Sequence, residues 1–527
     1  MIPGIGLLTH NRWAVPWDEV PIAAGADFRA SVIAAVRAGA RLVLLFGVPE
    51  TGGVVARGAE GRGPDRRPDD GGQDARGQTR IVAVLADDAN GRLGVLSMLA
   101  GESYPALTPD CPEAHGFERE IAEQCGVVPD GHPWLKPLRR HPPDHPPLGF
   151  RAGPYDRDAY PFARVDGAQV HEVAVGPVHA GIIEPGHYRF QAHGEQVLFL
   201  EIVLGYQHRG VERLLEQLPL ERALAVAESI AGDSVIAHTE SFCGALEALG
   251  RLQKGVHAQT VRGIALELER SANHLGDLGA LAGDIAFAPA AAYCGRLRGE
   301  CLNLLLELSG NRFGRGLIRP GGTGFDLPPA MAVDFRARLE RLSRDVEDVA
   351  ELLFENESVR ARFEGVGVIS RADCIELGFV GPPARASDLT RDVRHDHPYG
   401  VFRFAQIPPA TAWAGDVAAR AQVRRLELRR SLEFLAEQLR HLPANQPPAP
   451  CGALQPNEFV VAMTEGWRGE VAHAVLTDGA GHIRRYKVKD PSFHNWPALA
   501  LAMQGNQISD FPLCNKSFNL SYAGHDL

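Results

Sequence analysis

The sequence has eight cysteines but no Cys-X-X-Cys pair among them. Zinc and iron–sulfur sites are usually built from such closely spaced cysteines. The sequence therefore predicts that this chain holds neither kind of site and binds no metal. Buried, reduced thiols are the expected state of these cysteines in a cytoplasmic protein.

Long apolar runs and an excess of positive charge are also missing. The best apolar runs, residues 41–49 and 197–204, are much shorter than the ~20 residues that a bilayer-spanning helix needs. The N-terminal segment lacks the charged and apolar regions of a secretory signal. The net charge of −11 argues against a nucleic-acid partner. We therefore expect a cytoplasmic protein that meets a membrane only through a partner.

The composition is typical of a globular protein with a core, and 527 residues allow two or three domains. Residues 51–80 are rich in Gly, Arg and Asp, which predicts a disordered insertion. Strand-like runs at 42–46 and 81–85 flank it, and residues 28–38 have the pattern of a helix. A cluster of proline and glycine over 136–155 is typical of a linker. We therefore predict a first domain over 1–140 and a linker over 141–165.

The remaining residues, 166–527, are predicted to form a second domain. Alternating patterns at 169–175 and 186–204 indicate a small sheet. From about residue 207 the chain has mostly helical periodicity, clearest at 262–286, 333–354 and 420–442. Residues 467–488 return to strand character. The predicted fold class is α+β, with a mainly helical bundle and small sheets in the second domain.

The segment over residues 101–133 carries a recognisable motif. It contains the run from Phe117 to Ile121 (FEREI), followed by Gly131, His132 and Pro133. Alone, such an acidic–basic helical turn is most often a solvated face. With the preceding SYPALTP, the segment resembles the 30-kDa-type subunit of respiratory complex I. The resemblance implies an N-terminal α/β domain of that type.

The second domain resembles the 49-kDa-type subunit of complex I and the large subunit of group-4 [NiFe] hydrogenases. The stretches that carry the resemblance are GPVH with GHYRF (176–190), GYQHRGVERLLE (205–216), LERSANHLGDLGALAGDIAF (268–287), RPGG (319–322), ARASDLTRDVRHDHPYG (384–400) and the C-terminal residues 490–527. Fusion of both subunit types in one chain resembles the hydrogenase-3/4 arrangement.

Hydrogenases of this family hold nickel and iron with the cysteines of two Cys-X-X-Cys motifs. Ala231 and Ser234 stand where the resemblance places the early pair, and Ser521 and Gly524 stand where it places the late pair. Alanine and glycine offer no ligand, and serine is a hard, weak donor where soft thiolates are required. Cys243 and Cys514 are off the pattern and are interpreted as packing residues. The chain is thus not expected to be an active [NiFe] hydrogenase by itself.

The resemblance also implies candidate site residues. In complex I the corresponding cavity holds a quinone headgroup, and His179 and His187 are candidates for the histidine that lines it. The tyrosine that complex I has nearby is replaced by Val226. Glu212, in the RGVE motif, matches a proton-passing glutamate, for which a raised pKa would be suitable. Interaction with a helix dipole is the alternative role of Glu212.

Asp233 lies inside the degenerate early motif and completes this set of candidates. The resemblance predicts that five further polar residues lie close to it: Ser234, His238, Ser521, His525 and Asp526. Such a cluster could form a proton path or a ligand site, or it could only satisfy the hydrogen bonds of a former cavity.

The function implied is that of a peripheral subunit of a membrane-bound oxidoreductase related to complex I and energy-converting hydrogenases. Electron transfer would be coupled to ion translocation, at the inner face of the plasma membrane. The implied partners are a small [4Fe–4S] subunit of the 20-kDa type, membrane-arm subunits and, as a candidate ligand, a quinone. No dinucleotide or Walker motif is found, so NADH would bind another subunit. The alternatives are a non-catalytic scaffold or coupling subunit of the same complex, and a hydrogenase with a different ligand set.

Overall fold

The structure is a computed structural model that describes residues 4–50, 78–139, 160–179, 183–447, 449–450 and 452–527. The predicted insertion over 51–80 and the predicted linker over 141–165 lie outside these residues except at their ends, where residues 78–80 begin a strand. Within the described ranges, no helix is both long and apolar enough to cross a membrane.

The described N-terminal residues form a sheet flanked by two helices. The elements are β1 (Leu7–Thr9), β2 (Val15–Pro16), β3 (Ile22–Ala23), α1 (Gly25–Arg37), β4 (Arg41–Glu50), β5 (Gln78–Asp87), β6 (Arg92–Ala100), β7 (Ser103–Pro105), α2 (His115–Cys125) and β8 (Val128–Asp130). The main sheet has the order β1-β6-β5-β4, with β3 parallel to β6 and the other pairs antiparallel. The predicted strands at 42–46 and 81–85 and the predicted helix at 28–38 correspond to β4, β5 and α1.

The following residues begin with a three-stranded sheet and continue into helices. The elements up to the bundle are β9 (Val170–Val175), β10 (His187–His193), β11 (Gln196–Val203), α3 (Val211–Gln217), α4 (Leu220–Ala227), α5 (Val235–Leu249), α6 (Val256–Asp284), α7 (Ala288–Ser309), β12 (Ile318–Arg319), β13 (Gly322–Thr323) and α8 (Pro329–Phe354). Those that complete it are α9 (Glu357–Phe363), α10 (Arg371–Glu376), α11 (Gly381–Arg385), α12 (Val393–Asp396) and α13 (Val417–Arg440). The long helices α6, α8 and α13 pack together and match the three predicted helices.

The C-terminal residues form a hairpin sheet and three short helices. The elements are β14 (Glu458–Gly466), β15 (Gly469–Thr477), β16 (Ile483–Lys489), α14 (Pro491–Met503), α15 (Phe511–Phe518) and α16 (Tyr522–Asp526). The sheet order is β16-β15-β14-β2, so a strand from the N-terminal part completes it. Helix α5 packs against β14 and β15. The N-terminal and C-terminal parts therefore share one sheet, and one apolar core runs through both.

Candidate functional site

Two segments from distant parts of the sequence meet at the candidate site. The early loop, residues 228–234, connects α4 to α5, and the terminal segment, residues 519–527, includes α16. Arg209 donates to the carbonyls of Ser229 and Ile230 in the early loop at 2.6 and 2.8 Å and to the carbonyl of Ala523 at 3.1 Å. One guanidinium thus bridges both segments, and we call the place where they meet the loop site.

Arg468, in the turn between β14 and β15, makes a second bridge. Its guanidinium pairs with both carboxylate oxygens of Asp233, at 2.5 and 2.8 Å, and its Nε donates to the carbonyl of Asn519. The Asp233 carbonyl accepts hydrogen bonds from Trp467 and Asn273, both at 2.9 Å. Asp233 is therefore held as an ion-paired group at the rim of the site.

The four positions that the sequence analysis singled out as former ligands are all buried in these two segments. Ala231 and Ser234 lie in the early loop, and Ser521 and Gly524 lie in the terminal segment. The Oγ atom of Ser521 accepts a hydrogen bond from the amide of Gly524 at 2.9 Å, so it caps α16. The structure thus brings the predicted positions to one site, with the serine hydroxyl already committed to the backbone.

Asp490 fills the space beside Gly524. A Cβ atom built on Gly524 would lie 2.5 Å from Cγ of Asp490 and within 2.9 Å of both its carboxylate oxygens. Oδ2 of Asp490 is 3.0 Å from Nε2 of His238, whose amide donates to the carbonyl of Ser234 one turn earlier in the chain. Asp490 therefore forms a third link between the two segments.

The charge of Asp490 is supported by its surroundings. Burial alone would raise the pKa of this carboxyl group, but the hydrogen bond from His238 and the charge of Arg468 outweigh it and lower the pKa. The amide of Ser492 donates to its other oxygen at 2.8 Å. The loop site therefore contains an ionised, buried carboxylate that the sequence analysis did not single out.

Glu269 is a second carboxyl group that the sequence analysis missed, although it lies in the LERSANHLG stretch quoted there. It accepts hydrogen bonds from the amides of Ile236 and Ala237, at 2.7 and 3.2 Å, at the first turn of α5. Burial raises its pKa to about 8, with the nearby charge of Asp233 adding to the shift. Glu269 thus lies beside the residues that follow the early loop, and its raised pKa favours the protonated form at neutral pH.

Glu212 has a different environment from the one its expected proton-passing role favours. Its carboxylate contacts Lys487 Nζ at 2.8 Å, Arg485 at 3.1 Å and the amide of Val488 at 3.0 Å. Burial would raise its pKa, but the charges of Lys487, Arg485 and Arg139 lower it far below the ordinary value. The pKa of Glu212 is thus lowered rather than raised as a proton-passing role would favour, because three basic groups surround the carboxylate.

The FEREI turn is buried between the two parts of the chain. Glu120 pairs with Lys487 and with Arg139, and Arg139 also donates to the carbonyl of His525 at 2.9 Å. Glu118 accepts hydrogen bonds from the amides of Leu107 and Thr108. This turn is therefore not the solvated face that its composition alone would suggest, since its charged groups pair with partners inside the protein.

His179 lies before β10, and His187 is the first residue of β10. His187 Nδ1 contacts the carbonyl of Gly176 at 3.0 Å, and its Nε2 has no hydrogen-bond partner among the described residues. Burial lowers the pKa of His179. Glu184, between them, accepts hydrogen bonds from the amides of Tyr522 and Ala523, both at 3.1 Å. Glu184 therefore contacts the terminal segment and borders the loop site.

His525 and Asp526 do not pair with Asp233. Asp526 accepts hydrogen bonds from the amides of Gly205 and Gln207, both at 2.8 Å, and from Nδ1 of His525. These two residues thus fasten the terminal segment to the residues that precede α3. Of the expected cluster, Ser234, His238 and Ser521 belong to the loop site.

The cysteines outside the expected motifs are separated. Cys243 and Cys514 belong to two different apolar clusters, and burial raises the pKa of both thiols, that of Cys514 to about 11. Within the part of the chain that the structure describes, no group of three or more His, Cys, Asp or Glu side chains is arranged to hold a metal.

The fold matches that of a solved respiratory protein. It is similar to a chain of the membrane-bound sulfane sulfur reductase (MBS), an archaeal respiratory membrane complex, with a TM-score of 0.64 and 24% identity. The match covers 68% of this chain and 99% of that chain. The two chains thus share a fold, in which a helical bundle and a hairpin sheet surround the two meeting segments of this protein.

Sequence similarity identifies the family. Residues 284–451 and 449–526 match the 49-kDa subunit of the respiratory-chain NADH dehydrogenase. The chain is 31% identical over 356 residues to the carbon monoxide-induced hydrogenase of Rhodospirillum rubrum, covering 66% of this chain and 97% of that relative. It is 28% identical over 437 residues to hydrogenase-4 component G of Escherichia coli, covering 80% and 76%. The chain therefore belongs to the family of the 49-kDa subunit and its hydrogenase relatives, which confirms the predicted resemblance.

Proposed function

We propose that the chain is a peripheral subunit of a membrane-bound oxidoreductase related to complex I and to energy-converting hydrogenases, and that it has no nickel–iron centre of its own. Family membership supports the first statement. The second rests on one observation: the space beside Gly524 is filled by the carboxylate of Asp490. A side chain that could reach a metal from position 524 has no room there.

The donor atoms at the loop site do not fit a nickel–iron cluster. Such a cluster requires soft thiolate sulfur, and the side chains that line the site offer a carboxylate, an imidazole and serine hydroxyls. The Oγ atom of Ser521 already accepts from a backbone amide. The proposed subunit therefore takes part in electron transfer through a partner's cofactor.

The proposed partners follow from the family. They are a small [4Fe–4S] subunit of the 20-kDa type, which would hold the iron–sulfur cluster, and membrane-arm subunits that keep the chain at the inner face of the plasma membrane. The proposed electron transfer is coupled to ion translocation. The chain itself reaches the membrane through these partners.

Metal analysis of the intact complex tests this proposal. A tagged copy of the chain is purified from its native host in mild detergent, and iron and nickel are measured in the same sample. We expect membrane proteins and an iron–sulfur protein to copurify, with iron present and nickel absent. One nickel atom per chain would contradict the absence of a centre, and purification of the chain alone would contradict the assembly.

A quinone is the proposed ligand of the segment that carries His179 and His187. Because Nδ1 of His187 donates to the carbonyl of Gly176, the buried Nε2 atom, which has no partner among the described residues, can accept from the hydroxyl of a reduced quinone. A protonated imidazole would instead donate from Nε2 to a quinone carbonyl oxygen. Substitution of His187 by Ala is expected to weaken quinone-analogue binding to the complex by about tenfold, the loss of one hydrogen bond. His193→Ala, on the exposed end of the same strand, is the matched control. Equal binding by both variants would refute this assignment.

A scaffold or coupling subunit is the second candidate function, favoured by the full pairing of Glu212. A carboxylate held by Lys487, Arg485 and a backbone amide is suited to joining elements. If the chain is a scaffold, Glu212→Gln lowers the yield of assembled complex while the turnover of the assembled fraction stays unchanged. A loss of turnover at normal assembly favours a catalytic role instead.

A further inference from the structure

A continuous row of three hydrogen bonds lies behind the loop site. It begins with the contact of 3.0 Å between Asp490 Oδ2 and His238 Nε2. His238 Nδ1 is 3.1 Å from His473 Nε2, and His473 Nδ1 is 2.8 Å from the hydroxyl of Tyr486. All four side chains are buried. These four side chains, which we call the proton chain, thus lead from Asp490, beside Gly524, to Tyr486 in β16 of the hairpin sheet.

The proton positions of this chain follow from the groups themselves. Asp490 is ionised and can only accept, and a neutral imidazole has one donor and one acceptor nitrogen. Tyr486 therefore donates to His473, His473 donates to His238, and His238 donates to Asp490. Every link is satisfied, and all three point toward the carboxylate.

One additional proton can be held without breaking any link. A proton on Nδ1 of His238 makes it a donor at both nitrogens, as in an imidazolium ion. His473 then accepts at Nε2 and donates at Nδ1 to the oxygen of Tyr486. The positive charge of His238 lies next to the negative charge of Asp490. The proton chain thus keeps its three links in two arrangements that differ by one proton.

The groups around the proton chain favour His238 as the residue that holds the additional proton. Burial first, and then the neighbouring His238, lower the pKa of His473 well below its ordinary value, against an opposing effect of Glu212. Arg12 also lowers the pKa of His473, and Cys243 is the titratable group that faces Tyr486. Arg468 faces Asp490 from the hairpin turn. Of the two imidazoles, only that of His238 has a carboxylate partner.

We propose that the proton chain stores one proton for the loop site, with Asp490 and His238 as positioning residues that hold it. The inference rests on the proposed function, because the negative charge that calls for the proton is an electron on the partner's cluster. The step is acid–base only: one proton from bulk water forms an N–H bond on His238, and it returns to water when the charge leaves. No electron moves along the proton chain.

Histidine NMR of the isolated full chain tests this without any partner. The protein is labelled with ¹⁵N- and ¹³C-histidine, and His238→Gln and His473→Gln variants assign the two signals. We expect both histidines to change together at one midpoint, because they share one proton. In Asp490→Asn that midpoint falls by about one pH unit, a tenfold loss of proton binding. Asp478→Asn, on the exposed turn of the same hairpin, is the control and leaves the midpoint unchanged.

Tyr486→Phe provides a second variant in case Asp490→Asn does not fold. It removes the last link, so the Nδ1 signal of His473 should shift while the midpoint of His238 persists. Signals of His238 and His473 that stay unchanged between about pH 5 and pH 9 would overturn the proposal. Two separate midpoints that are the same in the unmodified protein and in Asp490→Asn would also overturn it. These outcomes leave the nickel and copurification results untouched, so the two proposals fail independently.

Discussion

The close approach of Asp490 to Gly524 predicts that position 524 cannot accept even one methyl group. In Gly524→Ala the added Cβ lies 2.5 Å from Cγ of Asp490, whereas carbon atoms in contact are normally ~3.5–4 Å apart. One of the two groups must therefore move by about 1 Å. Asp490 cannot move freely, because it is held at 3.0 Å from His238 and at 2.8 Å from the amide of Ser492.

The expected cost combines two opposing contributions. Overpacking of a buried site usually lowers the free energy of unfolding by ~1–3 kcal/mol. Replacing glycine by alanine within a helix such as α16 restores at most ~1 kcal/mol. The net loss for Gly524→Ala is therefore about 1–2 kcal/mol. The same methyl group should cost nothing once the carboxylate is absent, so the penalty should vanish in an Asp490→Ala background.

Denaturation of the full chain measures both values as a double-mutant cycle. Gly232→Ala is the matched control, since it lies in the early loop and its Cβ would meet nothing within 4 Å. We expect this control to unfold like the unmodified protein. The reasoning is refuted if Gly524→Ala is as stable as Gly232→Ala, or if its cost is the same with and without Asp490.

Two further predictions concern buried charges. Glu120→Ala leaves Arg139 without its carboxylate partner, so the free energy of unfolding should fall by ~3 kcal/mol or more. Glu340→Ala, at an exposed residue, is the control. Equal melting temperatures of the two variants would contradict a stabilising role of the Glu120–Arg139 pair. Glu269 has a pKa of about 8 when folded, above its ordinary value of ~4.3. The folded state therefore binds more protons in this window, and stability decreases as the pH rises from about 5 to 8. Glu269→Gln should remove that decrease, and an unchanged pH profile of thermal unfolding would exclude the raised pKa.

The sequence predicted the elements whose patterns are local. Helices α6, α8 and α13 bury one face and expose the other, so their apolar residues recur every three or four positions. The strands β4 and β5 are recognisable because apolar runs flank a segment that lacks apolar residues. By contrast, β14 was not predicted, since both of its faces are buried and its sequence, EFVVAMTEG, shows no alternation.

The charged interior could not be predicted from local patterns. A run such as FEREI has the composition of a solvated helix, and only the fold shows that Glu120 meets Lys487 and Arg139. Those partners lie far away in sequence or beyond the end of α2. The environment of Glu212 could not be predicted for the same reason: its motif identifies a carboxylate, but two of the basic groups that lower its pKa, Arg485 and Lys487, come from β16.

The candidate site was predicted in position but not in content. The sequence analysis directed attention to the early loop and the terminal segment, and the structure joins these two segments through Arg209 and Arg468. The residue that decides what the site can hold is Asp490, which comes from neither motif. Its importance depends on its short distance to Gly524, 34 positions later in the sequence. The sequence shows both residues but gives no indication that they are in contact.

The pairing of Asp490 with Gly524 indicates how such a site can change its chemistry while keeping its fold. A buried carboxylate is stable only with a hydrogen-bond donor and a nearby positive charge, and His238 and Arg468 supply both. A side chain at position 524 would compete with that carboxylate for the same space. Introducing a cysteine at position 524 alone would therefore create a steric conflict before it created a ligand. Thiolate chemistry at this site would require Asp490 to be replaced as well, and His238 would then need a new acceptor.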